Sequence, residues 1–298
     1  MSHSVEAKSR FSAARVLVPA SAVLLFLQAA LVVTGGAVRL TGSGLGCPTW
    51  PECTPGSYTP VPHQAEPVLN VWIEFGNRML TFALVLASLV VIISVLKSGR
   101  RDLRSLAMGQ FLGIFGQGIL GGITVLTDLN PITVALHLLL SMVLIAGASS
   151  IHVRRFAPSV SIESSQLTRS LGKAHVSIMF LVMILGTIVT GSGPHAGDAQ
   201  APRFDFDIRT VAILHADVVI FLFGLTLAFY VAVGTSPQTK IKLRTFTIIA
   251  LAQGIIGYVQ YFLGVPALIV GFHLLGAAVL WISAWRVFLS TRIRMDTK

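Results

Sequence analysis

QGILGGITVLTDLNPITVALHLLL, residues 117–140, and QGIIGYVQYFLGVPALIVGFHLLG, residues 253–276, are two copies of one pattern. Aligned without gaps they agree at eight of 24 positions, and each places a His twenty residues after its Gln (Gln117 to His137, Gln253 to His273). Each copy is an apolar run, a Pro-containing break, and a second apolar run with the His in its first turns. Any two membrane helices share Gly and Leu, but Gln-Gly-Ile and His-Leu-Leu at a constant spacing are harder to obtain from composition alone. The pair reads as an internal duplication, and a repeat of this kind decides the architecture of the whole chain.

Hydrophobic residues make up 54% of the chain and charged residues 11%, with a mean hydropathy of +0.79, which excludes an ordinary soluble domain. A helix needs about 20 apolar residues to cross ~30 Å of hydrocarbon. Eight such runs are expected, near 16–36, 73–96, 105–126, 132–152, 174–192, 210–233, 245–263 and 266–288. The first is too long for the apolar region of a signal peptide and lacks a convincing small-residue cleavage site, so it reads as a helix. The expected fold is an all-α membrane protein of eight transmembrane helices, arranged as two pseudo-symmetric four-helix bundles. Four helices per half give both halves the same orientation, related by an axis along the membrane normal. The expected organisation is a tail at 1–15, a first half at 16–155 with an outer loop at 37–72, a linker at 156–173, a second half at 174–288, and a tail at 289–298.

A formal charge of +10 would suggest nucleic acid until the charges are placed. Five segments, the N-terminus, 97–104, 153–173, 240–244 and the C-terminus, hold 18 of the 22 basic residues, and all five fall on one side if eight helices alternate. This is the positive-inside pattern, so both termini are expected in the cytoplasm, with a lipid bilayer rather than nucleic acid as the partner. The opposite side carries Arg39, Arg78, Arg203 and Arg209, together with Cys47 and Cys53 in GCPTWPEC. Two Cys six residues apart in a Pro-rich outer loop read as a disulfide, either structural or redox-active.

Of the eight His residues, His3, His63, His152, His175 and His195 fall in tails, loops or helix ends and read as solvated or interfacial. His137, His215 and His273 lie inside apolar helices, where an ionisable side chain is costly and usually functional. Each is five to seven residues from an outer end, a depth of roughly 10 Å. Two imidazoles on facing helices at equal depth can clamp a haem from both faces, although a buried His bonded across helices is the plainer alternative. His215 and His273 make such a pair in the second half. The repeat sets Asn77 and His137 in the corresponding places of the first half, and Asn is a poor iron ligand. Glu74, one helical turn before Asn77, either pairs with Arg78 or accepts protons beside a first-half porphyrin. Arg39, Arg78 and Arg209 are candidate partners for haem propionates.

These phrases together resemble the haem A synthase family. The resemblance runs from TGGAVRLTGSGLGCPTWPEC (34–53) through EFGNRML (74–80), the first repeat copy and GTIVTGSGPHAGD (186–198) to the last QGIIG…GFHLL. It implies eight helices in two halves, a haem b cofactor held by His215 and His273, and substrate haem O at the first half near His137. It further implies a catalytic role for Glu74 and the loop cysteines of one family class at Cys47 and Cys53. The family motif commonly reads Glu-x-x-His-Arg, whereas here Asn77 takes the His position. The implied enzyme is an oxidoreductase that converts the C8 methyl of haem O to a formyl group by successive hydroxylations, with oxygen from water. Its product, haem A, would serve cytochrome oxidase. The implied setting is a bacterial plasma membrane, with haem O synthase and oxidase assembly factors as partners. Two rivals remain: a non-catalytic haem-binding electron carrier, which wants a second strong ligand in the first half, and a transporter, which wants polar residues near the midplane.

Overall fold

The computed structural model describes residues 2–62, 64–156, 158, 160–234 and 236–294, with side chains from residue 13 onward. His63 and Lys298 lie outside the described residues, as do the side chains of His3, Lys8 and Arg10. Eight long helices follow one another: α1 (Ser2–Leu40), α2 (Val68–Lys97), α3 (Arg104–Leu126), α4 (Pro131–Val153), α5 (Gln166–Ser192), α6 (Ile208–Ala232), α7 (Pro237–Phe262) and α8 (Ala267–Ser290). Each contains a stretch long and apolar enough to cross a bilayer, that of α1 beginning at Ala13.

Local chemistry explains where the helices start. The Asn130 side chain accepts the Ile132 N–H at the head of α4, where Pro131 fills the first position that needs no donor. Ser165 caps α5 through the Thr168 N–H, and Asp207 caps α6 through the Thr210 N–H. Helices α1, α5 and α7 begin eight or more residues earlier than their apolar runs. Those first turns are polar and lie toward the membrane surface, where helix continues without apolar sequence. Separately, α1 runs on to Leu40 and α2 begins at Val68, so the outer loop contracts to residues 41–67, and the linker occupies 154–165.

The duplication is visible in the backbone. Between α3 and α4, Asp128 and Leu129 take left-handed φ values of 50° and 60°; between α7 and α8, Gly264 and Val265 take 74° and 62°. These are the same two positions at the repeat's offset. Left-handed Leu and Val are strained, so tertiary contacts must hold them. Leu129 is buried, so close to Gly44 that a Cβ there would come within 2.6 Å of its Cδ1. The Val265 carbonyl lies 2.9 Å from His195 Nε2 of the α5–α6 loop.

Packing follows the same symmetry. In the first half α1 packs on α2, α2 on α3, α3 on α4 and α4 back on α1; α5 to α8 close a second ring in the same order. The halves meet where α4 touches α8, flanked by α1 against α8 and α4 against α5. A pseudo-twofold axis between α4 and α8 exchanges the last two contacts. Trp281 and Trp285 of α8 pin this seam, donating to the Met142 carbonyl (2.7 Å) and to Ser150 Oγ (2.8 Å) of α4.

Candidate functional site

Three imidazoles share one local design. His137 on α4, His215 on α6 and His273 on α8 each rest against a glycine of the preceding helix. A Cβ at Gly121, Gly186 or Gly257 would stand 3.1, 3.4 or 3.3 Å from the respective Cε1. Glycine thus lets each ring lie against its neighbour's backbone. In all three, Nδ1 is enclosed and makes no hydrogen bond, while Nε2 is not enclosed in that way. His215 and His273 are the eighth and seventh residues of α6 and α8, two helices of the closed α5–α8 ring, and each rests on a glycine of a neighbouring helix in that ring. His215 also lies beside the Val182 backbone of α5, without a formed hydrogen bond from Nδ1. With Nδ1 enclosed, Nε2 is the nitrogen of each ring that an iron would take, which fits the axial-ligand role for a haem.

The fourth place in the pattern is built differently. Aligning Val33-Thr34-Gly35 with Val189-Thr190-Gly191 sets Ala30 of α1 where Gly186 stands in α5. Asn77 replaces the imidazole, and its Oδ1 accepts the Thr34 hydroxyl at 2.7 Å. The equivalent Thr190 hydroxyl instead donates to Gly186 O of its own helix at 2.7 Å. Asn77 is therefore tied to α1.

Sequence reasoning missed the glutamines. Gln117 Nε2 donates to the His137 carbonyl at 3.0 Å, and Gln253 Nε2 to the His273 carbonyl at 2.7 Å. Gln117 also donates to Ser141 Oγ. The constant twenty-residue spacing was the available signal: it brings the two ends of each repeat into contact.

The outer loop packs as a lid on the first half through its disulfide segment and meets the α5–α6 loop where the Gly44 N–H donates to the Gly197 carbonyl at 2.8 Å. Cys47 and Cys53 are joined by a disulfide and buried against Val71 and Phe75 of α2. Glu74 is 5% exposed; its Oε2 accepts the Cys47 N–H at 2.7 Å and its Oε1 accepts Arg78 Nη2 at 2.6 Å. All three Arg78 nitrogens are engaged, Nη2 also with Cys47 O (2.7 Å) and Nη1 with the Thr49 and Glu52 carbonyls (both 3.1 Å). Trp50, inside the disulfide ring, lies on α3 so closely that a Cβ at Gly122 would meet its ring at 2.4 Å. Gly122 adjoins Gly121, which supports His137, so the lid closes over that histidine's neighbourhood. Arg39 donates to the His195 and Thr190 carbonyls, tying the end of α1 to the second half. A propionate contact by Arg39 or Arg78 would have to share donors with these carbonyls.

His175 corrects the sequence reading. It is 0% exposed, its ring 4.5 Å from that of Phe246 and 6.1 Å from that of Phe229, and neither nitrogen has a partner. Because α5 starts at Gln166, His175 lies inside the bundle and not at a helix end. Both of its nitrogens are enclosed, which separates it from the three His that have only Nδ1 enclosed.

Residues 20–285 match the family model COX15-CtaA, described as cytochrome oxidase assembly protein. The chain is 28% identical over 182 residues to a protein named heme A synthase from Shewanella oneidensis, covering 57% of this chain and 54% of that one. A heme A synthase from Bradyrhizobium sp. is 27% identical over 201 residues, covering 57% and 55%. One from Exiguobacterium sibiricum is 30% identical over 130 residues, covering 43% and 42%. The chain spans about half the length of the curated relatives it matches.

Proposed function

The chain belongs to the COX15-CtaA family of cytochrome oxidase assembly proteins, and we propose that it is a haem A synthase, oxidising the C8 methyl of haem O to a formyl group by successive hydroxylations. The observation that carries this reading is the matched design of His215 and His273, at the same level of α6 and α8 in one helical ring, each resting on a glycine with its Nδ1 enclosed and its Nε2 left free of such enclosure. These two residues would hold haem b, which supplies one-electron chemistry when bound. Gly186 and Gly257 leave room for the rings against the neighbouring helix, and Gln253 holds the backbone behind His273.

The first half is the proposed substrate side. His137 offers haem O one strong ligand, and Asn77, engaged by Thr34, adds none of comparable strength. Glu74 takes two roles in this reading: it anchors the lid through Cys47 and Arg78, and it is the carboxylate placed to accept protons as the methyl is oxidised. The disulfide and Trp50 keep the lid in place over α2 and α3, limiting water at the reacting edge. In this reading both termini lie in the cytoplasm and the lid on the outer face of a bacterial plasma membrane, a topology that the charge bias supports. Haem O synthase and oxidase assembly factors are the proposed partners, as supplier of the substrate and recipients of the product.

The rival reading, a non-catalytic electron carrier, needs two strong ligands in each half, and the Thr34–Asn77 bond works against it. Membranes from cells that make haem O and express this chain decide between the two. Extracted pigment should contain a formyl porphyrin; haem O as the sole product, with the protein present and holding haem b, would leave the carrier.

A further inference from the structure

The phrase GTIVTGSGPHAGD (186–198) begins with the glycine beneath His215, and its remainder builds the first part of the α5–α6 loop. That loop touches both left-handed turns. It reaches the turn before α4 by packing: Ala196 and Ala201 are buried in one cluster with Leu129, and a Cβ at Gly197 would stand 3.1 Å from Leu129 Cδ1. It reaches the turn before α8 by a hydrogen bond, His195 Nε2 lying 2.9 Å from the Val265 carbonyl. A carbonyl oxygen only accepts, so Nε2 carries the proton and donates. Leu129 and Val265 each stand eight residues before an iron-ligand candidate, His137 and His273.

The two turns need that support unequally. The head of α4 is fixed from within, by the Asn130 side chain on the Ile132 N–H at 3.0 Å. Pro266 takes the place of Asn130 before α8, and it brings no side-chain cap. Val265 beside it holds a φ of 62°, which a β-branched residue keeps only under external restraint. His195 is anchored well enough to supply it. Its carbonyl accepts from Arg39 Nε, while Arg39 Nη2 donates to the Thr190 carbonyl at 2.7 Å and Arg203 Nη1 to the Gly193 carbonyl at 2.6 Å. From Val265 to His273 is about two helical turns, roughly 12 Å at 1.5 Å per residue. So short a rod carries a movement of its head to the imidazole.

We propose that His195 is a positioning residue for the haem b site: by holding the Val265 carbonyl it fixes the head of α8 and, through it, the direction of the His273 imidazole. The proposal rests on the reading of His273 as an axial ligand. Because Arg39 of α1 grips the same residue, the first half has a hold on the ligand helix of the second.

The test uses the full-length chain purified with its haem. Electron paramagnetic resonance of the ferric low-spin haem reads how the axial imidazoles lie. Hydrogen exchange reads the head of α8 at Ile269 and Val270, whose N–H groups donate to the Pro266 carbonyl at 3.0 and 3.1 Å. His195→Phe keeps a ring and loses the donor. Its low-spin signal should shift or split, and exchange at those two amides should rise about fivefold, the scale of one net hydrogen bond. His195→Gln can still donate to the Val265 carbonyl and should restore both readings. His195→Asn, whose amide stops short of it, carries the expectation of His195→Phe should that variant not fold. Arg203→Gln loses a bond inside the same loop; it should lower the melting temperature and leave the signal in place. Faster exchange with an unmoved signal overturns the proposal, and so does a shift in Arg203→Gln as large as that in His195→Phe. A natural protein with no low-spin signal would instead sink the reading of His273 as a ligand, before any variant is compared, and the proposal with it.

Discussion

The two halves keep one scaffold and differ in what they place on it. In α5–α8 both His positions are filled, and each is backed by glycine. In α1–α4 one position keeps His137 on Gly121, while the other holds Asn77 bound to Thr34, with Ala30 in place of the glycine. The residues equivalent to Glu74 and Arg78 in α6 are Ala212 and Ala216, so the buried ion pair and the lid it anchors belong to the first half alone. A symmetric site suits a fixed cofactor. A site with one strong ligand, a carboxylate and a covered edge suits a molecule that arrives, reacts and leaves.

The largest expected effect breaks the second half. His215→Ala or His273→Ala should abolish the low-spin haem b spectrum of the purified protein, because one imidazole cannot supply six-coordination. His137→Ala should leave that spectrum in place. An unaltered spectrum in either second-half variant removes the ligand assignment, and loss in all three removes the distinction between the halves.

Next in size is Glu74→Gln. The amide still offers an oxygen to the Cys47 N–H but loses the ion pair with Arg78. Haem O should remain bound and unconverted in extracted pigment. Thiol labelling before and after reduction should show the Cys47–Cys53 bond intact, which separates lost chemistry from a lost lid. A normal haem A yield would take Glu74 out of the proposed mechanism.

Much of this contrast was legible in the sequence, and the failures have physical causes. The eight helices showed as apolar runs, and the duplication as a gapless match carried down to the left-handed pair before α4 and α8. The early starts of α1, α5 and α7 were hidden because their first turns are polar, and His175 was misplaced for that reason. The Glu74–Arg78 contact could be read from their four-residue spacing on a helix. Trp50 on Gly122 and Arg39 on the α5–α6 loop could not, since nothing local in the chain records which distant backbone a side chain will meet.

A variant that fills the missing place sharpens the comparison. Asn77→His combined with Ala30→Gly recreates in the first half the ring and glycine of the second. Loaded with haem and reduced, the natural protein should bind carbon monoxide at its first-half haem, and the double variant should lose that binding as a second imidazole closes the iron. Asn77→His alone should lose less, because the methyl of Ala30 crowds the ring. Carbon monoxide binding that is the same in all three proteins would show that residue 77 does not face the iron.

The smallest effect concerns the glutamines, where the halves are most alike. Gln253 contributes one hydrogen bond, to the His273 carbonyl, while its Oε1 is enclosed without a donor and presses toward Gly276. Replacing it with Leu removes a bond of about 0.5–1.5 kcal/mol but also relieves the unpaired oxygen, so the net loss of stability should be under about 1 kcal/mol. Gln117 Oε1 is enclosed without a donor in the same way, and the His137 carbonyl keeps the Ser141 hydroxyl as a donor, but Gln117 Nε2 bonds to both that carbonyl and Ser141 Oγ, so Gln117→Leu removes one bond more and should cost more. Thermal melting gives that order. The midpoint potential of the second-half haem should move in Gln253→Leu and not in Gln117→Leu, because only Gln253 fixes the backbone that carries His273. Equal potentials in the two variants would reduce both glutamines to helix packing, with no part in aiming the imidazoles.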